Sequence, residues 1–231
     1  MRRAPVFVAL LALALAVPLV PALAGSIELR VPHGGGYSVP VTSLKEARFR
    51  ATVRQQYDFS CGSAAVATLL TYQYGMPVDE AEVFEHMYAT GDQARIRAEG
   101  FSLLDMRRYL ASRGYSADGF QVPLDKLLEQ GLPAIVLVND RGYRHFVVVR
   151  GLRQGRVLVA DPARGARAIP RRDFDRIWDN RVLFVVHNRR ELASFNQARD
   201  WNMAPAAPLH TGIQRQGLHN IVIPRRGPGD I

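Results

Sequence analysis

The chain has 231 residues, of which 48% are hydrophobic and 22% are charged, and these values are typical of a globular protein with a real core. The formal net charge is +9, but only two of the 30 basic residues are lysines, and no basic motif interleaved with aromatic residues accompanies the scattered arginines. We therefore predict no nucleic-acid partner and interpret the charge as a basic surface. The single cysteine excludes an internal disulfide, and no cysteine spacing typical of a metal site occurs, so we predict no metal and no cofactor.

Residues 1–24 have the pattern of a secretory signal peptide. Two arginines follow the first methionine, a long apolar stretch comes next, and Ala22 and Ala24 supply the small residues of an A-x-A cleavage site. The sequence predicts cleavage after Ala24, a mature chain without a transmembrane segment, and a periplasmic or secreted location. An uncleaved membrane anchor is the alternative.

The next part of the chain leads into a helical region. Residues 25–50 are predicted to form an N-terminal extension with an edge strand and a glycine-rich turn, followed by extended chain up to residue 53. A helix is predicted over residues 61–74, and its apolar residues recur at helical spacing, which indicates a buried, central helix. Further helices and a polar loop are predicted at residues 78–89 (helix), 90–100 (loop) and 103–112 (helix capped by Ser102).

The pattern then changes to short apolar runs that predict strands. These predicted strands cover residues 115–122, 133–138, 145–150, 156–161 and 182–186, with a short helix at 123–130 and a helical turn at 173–178. Helices first and strands second indicate an α+β domain over residues 51–190, in which an N-terminal helical half packs on an antiparallel sheet. Apolar periodicity ends there, so residues 191–231 are predicted to form a flexible C-terminal tail.

Cys61 stands where a polar approach ends and the first long helix begins. Unpaired backbone N–H groups and the helix dipole favour a thiolate at such a position. A lone cysteine in an exported protein is either a buried, inert residue or a nucleophile. The polar approach and the helix start favour the nucleophile.

A histidine and an aspartate are brought together by a predicted hairpin whose turn is centred on Arg153. With this register His145 and Asp161 lie directly opposite each other, within reach of an imidazole–carboxylate hydrogen bond. Asp161 would then fix the tautomer of the imidazole. The alternative is a strand-edge histidine and an ordinary turn. Of the other histidines, His187 ends a strand and has no predicted acidic partner.

Gln55 and Gln56 precede the cysteine by six and five residues. A glutamine amide there can donate to an oxyanion together with the backbone N–H of Cys61. A pair of glutamines without a role in the loop is the alternative.

Gln55, Cys61, His145 and Asp161, with a glycine after the cysteine and a proline after the aspartate, resemble the pattern of the C39 peptidases. These papain-like cysteine proteases are best known as N-terminal domains of bacteriocin-exporting ABC transporters, which cut leader peptides after Gly-Gly. The resemblance covers about residues 51–187 and implies a papain-like fold. It implies that Cys61 is the nucleophile, His145 the base, Asp161 the orienting residue and Gln55 the oxyanion donor.

Residues 58–65 and 100–106 are similar to the free-standing exported members of this family, including the one from operons for secreted functional amyloid (the Fap system). Transporter-linked members carry an aspartate before the cysteine, where this chain has Ser60. The resemblance implies an exported cysteine peptidase that cleaves a secreted or exported protein for a secretion or maturation system. The implied partners are an amyloid or leader-peptide-bearing protein and its secretion machinery. The alternatives are a peptide-binding secretion accessory without turnover, or another papain-like amidase.

Overall fold

The computed structural model describes residues 26–31, 35–40, 42–57 and 59–202. The chain divides into two units, one that ends at Ser43 and one that begins at Leu44. The predicted signal peptide lies outside the described residues, and so does the part of the predicted tail from residue 203 onwards.

The first unit contains a β-hairpin, where the sequence predicted a single edge strand and a turn. Strand β1 (Ser26–Val31) pairs antiparallel with strand β2 (Gly35–Pro40). The register places Ser26 opposite Pro40 and Val31 opposite Gly35, so every residue of one strand has a partner in the other.

The second unit holds the helices. They are α1 (Leu44–Phe49), α2 (Cys61–Thr68), α3 (Glu80–Thr90), α4 (Gln93–Glu99), α5 (Leu103–Ser112), α6 (Lys126–Gln130), α7 (Arg171–Ile177) and α8 (Ala198–Trp201). Helix α2 continues as a π-helical turn at Leu69–Gln73, and a 3₁₀ turn covers Arg190–Leu192. Within the described ranges, no helix combines the length and the apolar character needed to cross a membrane.

The helices predicted over residues 61–74, 78–89 and 103–112 are confirmed, and two other predictions are wrong. Helix α4 lies inside the predicted polar loop, and α1 replaces extended chain. Asp92 caps α4 by accepting a hydrogen bond from the Arg95 N–H at 3.1 Å, and only Ile96 is buried. One buried residue in a helix gives no apolar periodicity, which is why the sequence did not reveal it.

Helix α2 is the centre of the helical half. All of its residues are buried, because small and aliphatic side chains line every side of it. Gly62 is required in its first turn, since a Cβ there would lie 2.9 Å from the Phe101 Cβ and 2.9 Å from the Met106 Cε. The glycine therefore lets Met106 of α5 and Phe101, which precedes the cap of α5, pack directly against the start of α2.

The strands of the second unit form one antiparallel sheet, so the predicted α+β fold is confirmed. The strands are β3 (Ala117–Phe120), β4 (Ala134–Asp140), β5 (Tyr143–Arg153), β6 (Arg156–Asp161), β7 (Gly165–Pro170) and β8 (Leu183–Val186), in the order β3-β8-β4-β5-β6-β7. Strand β7 was not predicted. It is an edge strand of six residues, most of them small, around Arg167. A sequence with so few large apolar residues has the pattern of a turn.

The two faces of the sheet carry separate cores. Phe146, Val148 and Ala160 belong to the cluster that includes α2, α3 and α5. Val147 and Val159 belong to the cluster on the other face, which includes residues of α6 and α7. Both faces are covered, which explains why the central strands are near-continuous apolar runs in the sequence.

A β-bulge interrupts the pairing of β5 with β6. Near the turn Gly151 lies opposite Leu158, whereas further along Val149 lies opposite Val159. Arg150 is therefore an extra residue in β5, without a partner in β6.

The predicted register of this hairpin is wrong. The turn consists of Gln154 and Gly155, both with positive φ (50° and 67°), and not of residues centred on Arg153. Continuing the observed register places Asp161 opposite Val147. His145 then lies on the same face as Asp161 but two residues further along, as a diagonal neighbour.

Residues 191–202 pack against the domain, so the prediction of a flexible tail is wrong for this segment. Phe195 and Asp200 are buried. The Asn196 N–H donates to the Arg150 carbonyl at 2.7 Å, and the Arg150 guanidinium pairs with Asp200 at 2.8 Å. These partners lie far away in the sequence, so local composition could not reveal them.

Candidate active site

Cys61 is the first residue of α2, and its side chain is only 9% exposed. A small turn precedes it, in which the Ser60 hydroxyl accepts from the Tyr57 N–H at 3.1 Å and donates to the Tyr57 carbonyl at 3.0 Å. The turn is closed by the serine itself, so the chain enters the helix in one defined direction.

The thiol pKa is set by two opposing effects. Burial raises the pKa of Cys61, and this is the largest effect. Backbone N–H groups of Phe146, Gly62 and Cys61 itself lower it, and the negative charge of Asp161 raises it. The helix start thus acts in the predicted direction, but burial outweighs it. The prediction of a favoured thiolate is wrong for this structure.

His145 and Asp161 form a buried hydrogen-bonded pair, with 3.1 Å between Nε2 of the histidine and Oδ2 of the aspartate. An ionised carboxylate only accepts, so the neutral imidazole carries its proton on Nε2 and leaves Nδ1 unprotonated. Nδ1 is buried and has no hydrogen-bond partner among the described residues. In this tautomer Nδ1 has a lone pair that can accept a proton.

The thiol lies beside the strand position that carries this base. Strand β6 ends at Asp161, so the start of β5 has no β6 residue next to it. The backbone N–H of Phe146, next to His145 in the chain, is close enough to the Cys61 thiol to lower its pKa. The structure therefore brings Cys61, His145 and Asp161 to one end of β5.

The Asp161 carboxylate is held by further donors. Its Oδ1 accepts from the N–H groups of Ala163 at 3.0 Å and Arg164 at 3.2 Å, and Oδ2 lies 3.3 Å from Arg167 Nη1. Burial by itself would raise the pKa of Asp161, but the hydrogen bond from His145, together with the Ala163 N–H and the charge of Arg167, lowers it below its usual value. Arg167 was not predicted as a site residue because its strand was not predicted.

Tyr143 covers the imidazole. Its ring stacks on the His145 ring with the centroids 4.6 Å apart, and the tyrosine is 39% exposed. Two residues apart in a strand, the two side chains point to the same face. Tyr143 therefore separates the His145–Asp161 pair from solvent, and the alternation of β5 was the signal that could have identified it.

Gln55 reaches the site through its backbone. Its N–H donates to the carbonyl of Pro162, which follows Asp161, at 3.1 Å. The side-chain Nε2 donates to the Tyr57 carbonyl at 3.2 Å, while Oε1 is buried without a partner. An amide nitrogen has two hydrogens, so one remains for another acceptor.

Glu80 holds the chain that leads to Cys61, and the sequence did not indicate this role. Its Oε2 accepts from the Gln56 N–H at 3.1 Å, and its Oε1 accepts from the Ser63 hydroxyl at 3.3 Å. Burial raises the pKa of this carboxyl group. The side chain thereby connects the approach loop, α2 and α3.

His187 has an acidic partner, contrary to the prediction from the sequence. Its Nε2 lies 2.9 Å from Oδ2 of Asp118 on the neighbouring strand β3. Both side chains are exposed, and β4 separates their strands from β5. This pair is therefore distinct from the one beside Cys61.

Comparisons with known proteins identify the family of the chain. Residues 50–190 match the model of the Peptidase C39 family. A Pseudomonas fluorescens protein named as a probable functional amyloid protease, FapD, is 41% identical over 167 residues, which cover 72% of this chain and 74% of the relative. A Pseudomonas aeruginosa protein of the same name is 42% identical over 156 residues, which cover 68% of this chain and 69% of the relative.

Among solved structures, a double-glycine-motif protease from an AMS/PCAT transporter, crystallised with a leader peptide, superposes with a TM-score of 0.49 at 26% identity. The match covers 59% of this chain and 91% of that one. The family match spans more than half of the chain, and the FapD relatives are similar over more than two thirds of it. The chain belongs to the peptidase C39 family and is a cysteine peptidase.

Proposed function

We propose that the protein is an exported cysteine peptidase in which Cys61 is the nucleophile, His145 the general base, Asp161 the residue that orients the base and Gln55 an oxyanion donor. The observation that carries the proposal is the unpartnered, buried Nδ1 of His145, whose Nε2 is held by Asp161 beside the Cys61 thiol. A base with one nitrogen fixed and the other available is what nucleophilic catalysis needs.

In the proposed reaction the Cys61 sulfur attacks the carbonyl carbon of a peptide bond, and its proton passes to Nδ1 of His145. The oxyanion that forms accepts hydrogen bonds from the Cys61 backbone N–H and the free hydrogen of the Gln55 amide. The C–N bond breaks as Nδ1 returns the proton to the leaving amine, which leaves a thioester. Water then attacks the thioester with Nδ1 as base, the acid product departs, and the thiol is restored.

A cluster of aromatic side chains beside the approach to Cys61 supports a substrate with apolar residues near its cleavage site. Phe84 contacts the rings of Tyr57, Phe59 and Tyr88, with centroids 5.3, 5.7 and 5.6 Å away. Tyr57 is 54% exposed. Exposed aromatic groups of this kind provide contact area for a partner.

The names of the FapD relatives support a substrate from a functional-amyloid system, and the signal-peptide pattern of residues 1–24 supports a periplasmic or secreted location. We therefore propose an exported protein, of amyloid or leader-peptide-bearing type, as substrate, and the machinery that secretes it as partner.

The test compares the wild-type protein with the Cys61→Ala variant. Each is incubated with periplasmic and extracellular proteins from a strain that lacks the gene, and new N-termini are labelled and sequenced. We expect a small set of new N-termini with the wild type alone, and an acyl adduct on Cys61 by mass spectrometry. Equal products with both proteins would reject the peptidase mechanism. If a strain that carries Cys61→Ala secretes the substrate as the wild type does, a binding role is favoured.

A further inference from the structure

The bulge in β5 decides which face of the sheet Asp161 occupies. On the catalytic side of the bulge Val149 lies opposite Val159, and the alternation of side chains then places His145 and Asp161 on the same face. If the register of the turn continued without an extra residue, Asp161 would lie opposite Val148. Its side chain would then point to the face opposite to that of His145.

The extra residue is held by the C-terminal segment. Arg150 is 1% exposed, and its guanidinium donates to Asp200 Oδ1 at 2.8 Å and to the Ala51 carbonyl at 2.7 Å. Its own carbonyl accepts from the Asn196 N–H at 2.7 Å. The backbone carbonyl that the bulge removes from the strand pairing thus has a partner outside the sheet.

The residue after the bulge makes room for this segment. A Cβ on Gly151 would lie 2.8 Å from Asn196 Oδ1 and 3.2 Å from Asn196 Cα. The same Oδ1 accepts from the Trp201 indole N–H at 2.9 Å. Asn196, Asp200 and Trp201 therefore form one contact surface against the bulge, which we name the C-terminal clamp.

The clamp lies beyond residue 190, where the match to the family model ends. The register of the two strands inside the matched region therefore depends on residues outside it.

We propose that Asp200 is a positioning residue for the peptidase reaction, because it holds Arg150 in the bulge and thereby keeps Asp161 on the face of His145. The inference rests on the proposed function, in which His145 is the base and Asp161 its orienting partner.

The test uses the full-length chain and the variants Asp200→Ala, Asp200→Asn and Gly151→Ala. The readout is the proton NMR signal of His145 Nε2–H, which a hydrogen bond to the buried carboxylate moves far downfield. We expect Asp200→Ala and Gly151→Ala to lose this signal and to lower turnover of the substrate found with the wild type by about tenfold or more, since small misplacements of reacting groups are costly. Asp200→Asn, which keeps an acceptor oxygen, should retain more of both.

Leu127→Ala is the control, because this buried residue of α6 lowers stability when truncated and makes none of the contacts described for Arg150 and Gly151. It should keep the NMR signal. If the Asp200 and Gly151 variants are merely less stable and keep the wild-type signal, the inference is overturned. If Asp200→Ala does not fold, Asp200→Asn and Gly151→Ala decide. A wild type that has the signal but cleaves no protein rejects the proposed function alone, and the positioning inference is then judged from the NMR comparison.

Discussion

The Cys61 thiol receives two opposite influences from its position in the fold. The start of α2 and the Phe146 N–H favour the thiolate, while burial against the helical core favours the neutral thiol and prevails. In the proposed reaction His145 removes the proton from the thiol when a substrate is present.

This balance predicts the pH dependence of Cys61 alkylation by iodoacetamide. Because burial raises the pKa of the thiol, the rate should be lower at pH 7 than in the same protein unfolded in urea. It should rise about tenfold per pH unit and continue to rise above pH 9. The rate is measured by mass spectrometry in the wild type and in Cys61→Ala, which gives the background. Rapid alkylation that is constant between pH 5 and 8 would indicate a resting thiolate instead.

The lowered pKa of Asp161 predicts how the free energy of unfolding responds to acid. Its pKa is lowered in the folded state, so its contribution is present above the ordinary carboxyl value of about 3.9 and disappears as the pH falls through the folded pKa. At pH 7 we expect Asp161→Asn to lower the free energy of unfolding by about 1–3 kcal/mol, because a buried charged acceptor is lost.

Urea unfolding of both proteins at pH 7 and at pH 3 tests this prediction. The difference between wild type and Asp161→Asn should shrink at pH 3, because the carboxyl group is then largely protonated in the unfolded chain and its contribution to stability falls. A difference of the same size at both pH values would show that the ionised carboxylate contributes nothing to stability.

At the scale of single elements, the first turn of α2 depends on close packing. Gly62→Ala places a Cβ 2.9 Å from Phe101 Cβ and from the end of Met106. We expect a loss of about 1–3 kcal/mol in the free energy of unfolding, as for other overpacked cores, and a lower peptidase rate because Cys61 must shift. Urea unfolding and turnover are the measurements.

Ala67→Gly is the matched control in the same helix. It costs about 1 kcal/mol through helix propensity and adds no atom near Cys61. Its turnover should stay at the wild-type level. If both variants lose turnover in proportion to their stability, the first turn has no special role.

The β5–β6 hairpin shows how elements can be predicted while their register is not. Both strands were predicted from their apolar runs. The bulge at Arg150 and the two-residue turn give a strand register that differs from the predicted one. His145 and Asp161 still meet, as diagonal rather than direct neighbours. A bulge is stabilised by contacts from elsewhere in the chain, so local pattern contains no signal for it.

At the scale of the whole molecule, the second unit is completed by residues beyond the region that matches the family. A chain that ends at residue 190 loses Asp200 and leaves the Arg150 charge buried without a carboxylate. We expect it to be less stable than the full chain by about 3–5 kcal/mol, the cost of removing one partner of a buried ion pair. A chain that ends at residue 202 keeps the Arg150–Asp200 pair and should be more stable than the chain that ends at residue 190.

Circular dichroism during urea unfolding compares the three lengths. Equal stability of the chains that end at 190 and at 202 would mean that the Arg150–Asp200 pair contributes nothing to the fold.

Much of the architecture was readable from the sequence. The helices over 61–74, 78–89 and 103–112 and most of the strands follow from periodicity and glycine positions. The resemblance to the C39 peptidases, confirmed by the family match, selected the same four residues that the structure gathers near one end of β5. What was missed are elements with few apolar residues, α1, α4 and β7, whose conformation depends on what they pack against.

The sequence by itself determined the fold class and the family and supplied the candidate catalytic residues, because these depend on residue types and their order. The tertiary structure alone decided the direction in which the pKa of Cys61 is shifted, the face on which Asp161 lies, and the contacts of Glu80, Arg167 and Asp200. Burial and strand register depend on contacts with distant parts of the chain. No local pattern contains those contacts, which is why the sequence alone did not predict that burial raises the pKa of the Cys61 thiol.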